Sequence, residues 1–176
     1  MNQHEIIDNK TFNTVPNWYA LKIKHRHEKK VDFRLNEKGI TSYLPLKTEY
    51  RCWSDRHKKV SEPLFSCYLF VHTPLRDRLP ILQTDGVVGF VSFNGKPAII
   101  PEKQINSIKL ILEKKPCVEQ ISYFTPGKKV RIKAGDLKGI EGVLTEIRNN
   151  FRFVLCVDGI KQALAIEIFV NDLELI

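Results

Sequence analysis

The side chains best suited to covalent or metal chemistry are Cys52, Cys67, Cys117 and Cys156, together with His25, His27 and His57. A cysteine beside a histidine can form a nucleophile–base pair, and clusters of the two can hold zinc. The cysteine spacings of 15, 50 and 39 contain no C-x-x-C pair, so neither a zinc nor a disulfide framework is expected. Reduced, structural thiols are the expectation. No Gly-rich phosphate loop, H-E-x-x-H or G-x-S-x-G segment occurs. Catalysis is therefore not expected, and no metal or cofactor is required.

A different chemistry is suggested by cations. The chain of 176 residues carries 28 Lys+Arg against 20 Asp+Glu, a net charge of +8. Residues 1–115 hold 20 basic and 12 acidic groups, whereas 116–176 hold 8 of each. All of the excess belongs to the first two thirds, which suggests two modules, the first facing nucleic acid or another acidic surface. The densest runs are 22–30 (KIKHRHEKK) and 47–59 (KTEYRCWSDRHKK). The second interleaves Tyr50 and Trp53 with cations, a mixture that stacks on bases and neutralises phosphates. A long hairpin with a basic tip would have the same composition.

These groups must be placed by ordinary elements. Residues 1–15 show no period and read as a flexible tail. Residues 18–24 alternate as a strand, and 27–38 follow as a helix with Val31 and Leu35 one turn apart and Gly39 after its end. Residues 41–46 and 50–53 read as extended, and 63–72 (PLFSCYLFVH) as the surest strand. Thr73-Pro74 suggests a helix start, with Pro80 making that helix short or late. Asn94-Gly95-Lys96-Pro97 marks a turn between strands at 87–93 and 98–100, and 102–113 is an amphipathic helix. This is an α+β module, an antiparallel sheet with helices. Residues 114–124 read as a linker, and 125–176 as four or five short strands forming a small β-barrel. No apolar run is long enough for a membrane span, and no secretory signal is evident, so a cytoplasmic address is expected.

The order becomes specific at three places: Trp18-Tyr19; SEPLFSCYLFV at 61–71 followed by DGVVGFV at 85–91 and KPAIIP at 96–101; and PGKKVRIKAGDLKGIEGV at 126–143. Together they resemble the NusG family, an N-terminal NGN domain (16–113) and a C-terminal SH3-like KOW barrel (125–176). Ser66-Cys67 stands where general NusG proteins usually carry Pro-Gly. That departure favours a paralog, and the EPLF…YLFV wording of 62–71 is similar to the specialised paralogs, the RfaH-like and UpxY-type antiterminators of surface-polysaccharide operons.

The resemblance implies a non-enzymatic, monomeric elongation and antitermination factor. Its apolar patch would grip the clamp helices of RNA polymerase through Trp18, Leu64, Phe65, Tyr68 and Phe70. Strand alternation puts Leu64, Tyr68 and Phe70 on one side and Phe65 on the other. Tyr68 and Phe70 are expected outside, the alternative being that the whole set fills the core. Lys24, His25 and Arg26, with Arg56, Lys58 and Lys59, would face the non-template DNA strand, and Arg76 and Arg78 the far side of the cleft. Gly127, Gly135, Gly139 and Gly142 would shape the KOW turns. That domain would dock Rho or a small-subunit ribosomal protein, and the β-branched residues of 154–170 favour strands over a refolded helical hairpin. The rival reading is an RNA- or ribosome-binding KOW protein.

Overall fold

A computed structural model describes residues 14–53, 56–114, 118–122, 127–147 and 150–176. The expected tail lies almost wholly outside these residues. In chain order the elements are β1 (Asn17–Ile23), α1 (Glu28–Glu37), β2 (Thr41–Tyr43), β3 (Leu46–Trp53), β4 (Arg56–Pro63) and β5 (Tyr68–Thr73). There follow a 3₁₀ turn (Leu75–Asp77), α2 (Arg78–Leu82), β6 (Val87–Phe90), β7 (Ser92–Phe93), β8 (Lys96–Pro97), β9 (Ile99–Ile100) and α3 (Glu102–Lys114). The remainder is strand: β10 (Glu119–Ser122), β11 (Lys128–Ile132), β12 (Glu141–Ile147), β13 (Asn150–Val157), β14 (Gln162–Ile166) and β15 (Leu173–Leu175). This is a mixed α+β chain with few helices and many strands. No helix among the described residues is long and apolar enough to cross a membrane.

The chain forms two compact units. The first joins the described residues up to Leu44 with Ser66–Glu102, and the second joins Pro45–Phe65 with Lys103–Ile176.

In the first unit, β1 is the central strand of an antiparallel sheet in the order β2-β5-β1-β6, with β9 also pairing β1. One face of the sheet carries Tyr19, Leu21, Ile23, Leu69 and Val71, which pack with Val31 and Leu35 of α1 and Ile81 of α2. The apolar stripe of α1 therefore decides which face becomes the core. Its end is a Schellman motif: Ile40 N–H donates to Leu35 and Gly39 N–H to Asn36, with Gly39 at φ 71. Pro80 sits in the first turn of the five-residue α2, where its missing N–H costs no helical bond. Asn94 and Gly95, at φ 50 and 75, close β7 and β8 in the type I′ geometry that two-residue hairpins favour.

The strand expected over 63–72 is divided. Residues 64–67 form a turn, and β5 begins only at Tyr68. The break falls at Cys67, which takes φ 66, a left-handed conformation that no strand continues through.

In the second unit, β3 and β4 form a hairpin paired from Leu46↔Pro63 to Trp53↔Arg56. Helix α3 buries Ile105, Ser107, Ile108 and Ile111. Six strands pair antiparallel in the order β10-β14-β13-β12-β11-β15. One of them, β10, comes from the stretch 114–124 that was expected to be a linker. Its backbone groups pair with β14, so little side-chain periodicity was needed to make it a strand.

Gly142 lies in β12, where a Cβ would press on the Val154 carbonyl and the Phe153 ring. Close approach, and not backbone freedom, is what requires glycine there. Gly142→Ala should cost about 1–3 kcal/mol through overpacking, read as a lower urea midpoint. An unchanged midpoint would show that the sheet yields at this point.

Candidate functional site

The site expected from sequence falls on the second face of the first unit's sheet. Antiparallel register places Trp18 opposite His72, Ala20 opposite Phe70 and Lys22 opposite Tyr68. Strand β2 adds Tyr43 opposite Phe70. Residues directly opposite share a face, so Trp18, Tyr43, Tyr68, Phe70 and His72 form one aromatic strip. The rings of Trp18 and His72 lie 5.1 Å apart, and Tyr43 stacks on Phe70 at 6.3 Å and 24°.

The strip is only partly accessible. Tyr68, Tyr43 and His72 are half-buried, Trp18 is 8% exposed and Phe70 is fully buried. The expectation that Phe70 points outward is corrected: β5 is an inner strand, and Leu69, Phe70 and Val71 are buried in succession, so both of its faces are covered. Leu64 and Phe65, in the second unit, are also buried. Tyr68 alone among the five expected patch residues keeps substantial exposure.

The cationic groups lie beyond the two ends of this strip. Lys24, His25 and Arg26 form an exposed turn after β1, with Arg26 at φ 62. Lys24 N–H donates to the Gly86 carbonyl at 2.9 Å, and His27 N–H to that of Lys24 at 3.0 Å. Arg76 and Arg78 are exposed after β5, and Arg76 Nε stands 3.6 Å from Asp77 Oδ1. Because Asn17 pairs with Thr73 and Lys22 with Tyr68, the end of β1 and the end of β5 lie at opposite ends of the ladder. At about 3.4 Å per residue, the two strand ends from which these segments leave stand roughly 20 Å apart. Arg56, Lys58 and Lys59 belong to β4, and their side chains lie outside what the structure describes.

One group escaped the sequence reading. Helix α1 presents Lys29, Lys30, Phe33 and Arg34 around a shallow depression, with Phe33 64% exposed. The signal was available: Phe33 falls two residues off the Val31/Leu35 stripe. Arg34 Nη1 donates to the Asp85 carbonyl and to Asp85 Oδ2, both at 2.8 Å, and holds that carboxyl below its usual range. In the second unit, Gly135 and Gly139 take φ 75 and 89 in the β11–β12 connection, whereas Gly127, like Gly142, is required by close approach to the backbone.

A family model described as transcription termination factor nusG matches residues 16–109, more than half of the chain. This chain belongs to the NusG family. It is 27% identical to the transcription termination/antitermination protein NusG of Lactococcus lactis subsp. lactis (strain IL1403), over 95% of this chain and 97% of that one. The solved structure reported as "Domain interaction in Thermotoga maritima NusG" shares the fold at a TM-score of 0.55 and 21% identity, covering 92% and 97% of the two chains. NusG proteins are transcription termination and antitermination factors, and the matched region holds both the aromatic strip and the basic turn.

Burial pushes the Tyr43 phenol well above its ordinary value; burial also raises Tyr19, with Asn17 opposing it. A phenol raised on folding contributes stability that is intact below its unfolded pKa of about 10 and is lost as pH rises through the folded value. In an ultraviolet titration Tyr43→Phe should remove one late-ionising phenol and flatten the alkaline loss of stability. An unaltered late phase would place Tyr43 in water.

Proposed function

We propose that this chain is an RNA polymerase-binding elongation and antitermination factor, with an NGN-like domain over 16–113 and a KOW-like domain over 125–176 whose sheet is joined by β10 from the intervening stretch. The observation that carries the reading is the ladder register, which spaces two cationic clusters on either side of an aromatic strip within the region matched to NusG. Tyr68, backed by Trp18 and Phe70, anchors on the clamp helices. Lys24, His25 and Arg26 follow the non-template strand, while Arg76 and Arg78 reach the opposite side of the cleft; Arg56, Lys58 and Lys59, in the second unit, are a separate candidate for the strand.

The mechanism is mechanical. Pausing requires the clamp to open or swivel, and a bridge across the cleft binds the closed state better. It shifts the equilibrium only by that difference in affinity. No bond is made or broken. Cys67, in a turn where general NusG proteins carry Pro-Gly, supports a specialised paralog acting at particular operons, such as surface-polysaccharide loci. The charge-balanced KOW-like region suits a protein partner, Rho or a small-subunit ribosomal protein, better than free RNA.

The test is binding to bacterial RNA polymerase, alone and in an elongation complex with an exposed non-template strand. Tyr68→Ala, with unchanged circular dichroism, should weaken both at least about tenfold. Lys24→Ala/Arg26→Ala should weaken only the elongation complex, and more so at low salt. Equal binding by Tyr68→Ala would move the contact elsewhere. Failure of the wild type to bind a cognate polymerase would bring the RNA-binding reading forward.

A further inference from the structure

We propose that His25, Glu28 and Cys67 form a binding site for a divalent transition-metal ion, zinc by the chemistry of the donors. One ligand atom from each lies within 4.8 Å of the others. Cys67 Sγ stands 3.8 Å from His25 Nδ1. With Zn–S about 2.3 Å and Zn–N about 2.0 Å, two ligands of a tetrahedral zinc stand roughly 3.5 Å apart. The pair needs to close by only a few tenths of an ångström.

Three separate features hold this group together. Glu28 is the first residue of α1 and is buried, yet it carries a carboxylate. Its Oε1 accepts the Cys67 N–H at 2.8 Å, which ties the turn before β5 to the start of the helix. One such bond leaves most of the carboxylate's acceptor capacity unused, and a cation beside it would offset the cost of burying the charge. The Cys67 carbonyl in turn accepts Ile23 N–H at 2.8 Å, which fixes the turn against the end of β1. His25 is set by its own turn, where His27 Nδ1 lies 3.0 Å from the His25 carbonyl.

Both turns use a non-glycine residue at positive φ, Arg26 and Cys67. Glycine would relieve the strain at either position, so the thiol at 67 is kept against the backbone preference. A thiolate, an imidazole and a carboxylate are a zinc set and not a magnesium or calcium set. Three protein ligands leave a fourth position for water. Binding replaces the thiol proton by the metal, the proton leaves to solvent, and no electron moves. Lys24 and Arg26 are exposed, so water and salt screen their repulsion.

The sequence reading passed over this group because 39 residues separate Glu28 from Cys67. The test uses the full-length protein, stripped by chelator and titrated with zinc alone at neutral pH by calorimetry. One saturable zinc per chain is expected, with release of protons. Cys67→Gly keeps the turn, because glycine accepts its φ, and should lower affinity at least about tenfold; His25→Ala should do the same at an exposed position. Cys156→Ser should leave affinity unchanged. Cobalt(II) should show a thiolate charge-transfer band in the wild type that Cys67→Gly lacks. The proposal is overturned if the wild type takes up no stoichiometric zinc, or if Cys67→Gly binds it as tightly with the same cobalt band.

Discussion

The antiparallel ladder between β1 and β5 is the constraint on which the first unit depends. Its register assigns every side chain of the two strands to one face or the other. A slip of β5 by one residue would exchange Leu69 and Val71 for Tyr68 and Phe70 beside Tyr19 and Leu21. The stripe of α1 pins that register, because Val31 and Leu35 pack with the first set. The aromatic strip is thus a consequence of core packing on the opposite face.

The same ladder sets distances. The basic turn leaves it directly from β1, whereas Arg76 and Arg78 follow β5 through Pro74 and a 3₁₀ turn, so the ladder fixes the separation of the strand ends and the short turn adds the rest. A span held by backbone hydrogen bonds is stiff. That stiffness matters for the proposed bridge, whose effect on a polymerase would come from differential affinity for two clamp states.

The turn before β5 shows how a local rule gives way to tertiary context. Residues 63–72 are apolar enough to read as one strand, yet Cys67 adopts a left-handed conformation that ends it. Two hydrogen bonds hold it there, one to the buried Glu28 carboxylate and one from Ile23. Neither partner is near Cys67 in sequence, so propensity alone could not report the break.

From the sequence alone, the α+β class, the places of α1 and α3, a turn beginning at Asn94-Gly95 and the strand-rich C-terminal third were all legible. Each rests on local periodicity or on backbone chemistry within a few residues, which pattern reading detects. The family was legible as well, through three motifs in order. Tertiary structure alone decided that Phe70 is buried, that β10 joins a sheet from within an expected linker, and that His25, Glu28 and Cys67 converge. These outcomes depend on which surfaces cover a strand and which distant segments pair. Long-range packing sets both, and the period of two along a strand carries no record of it.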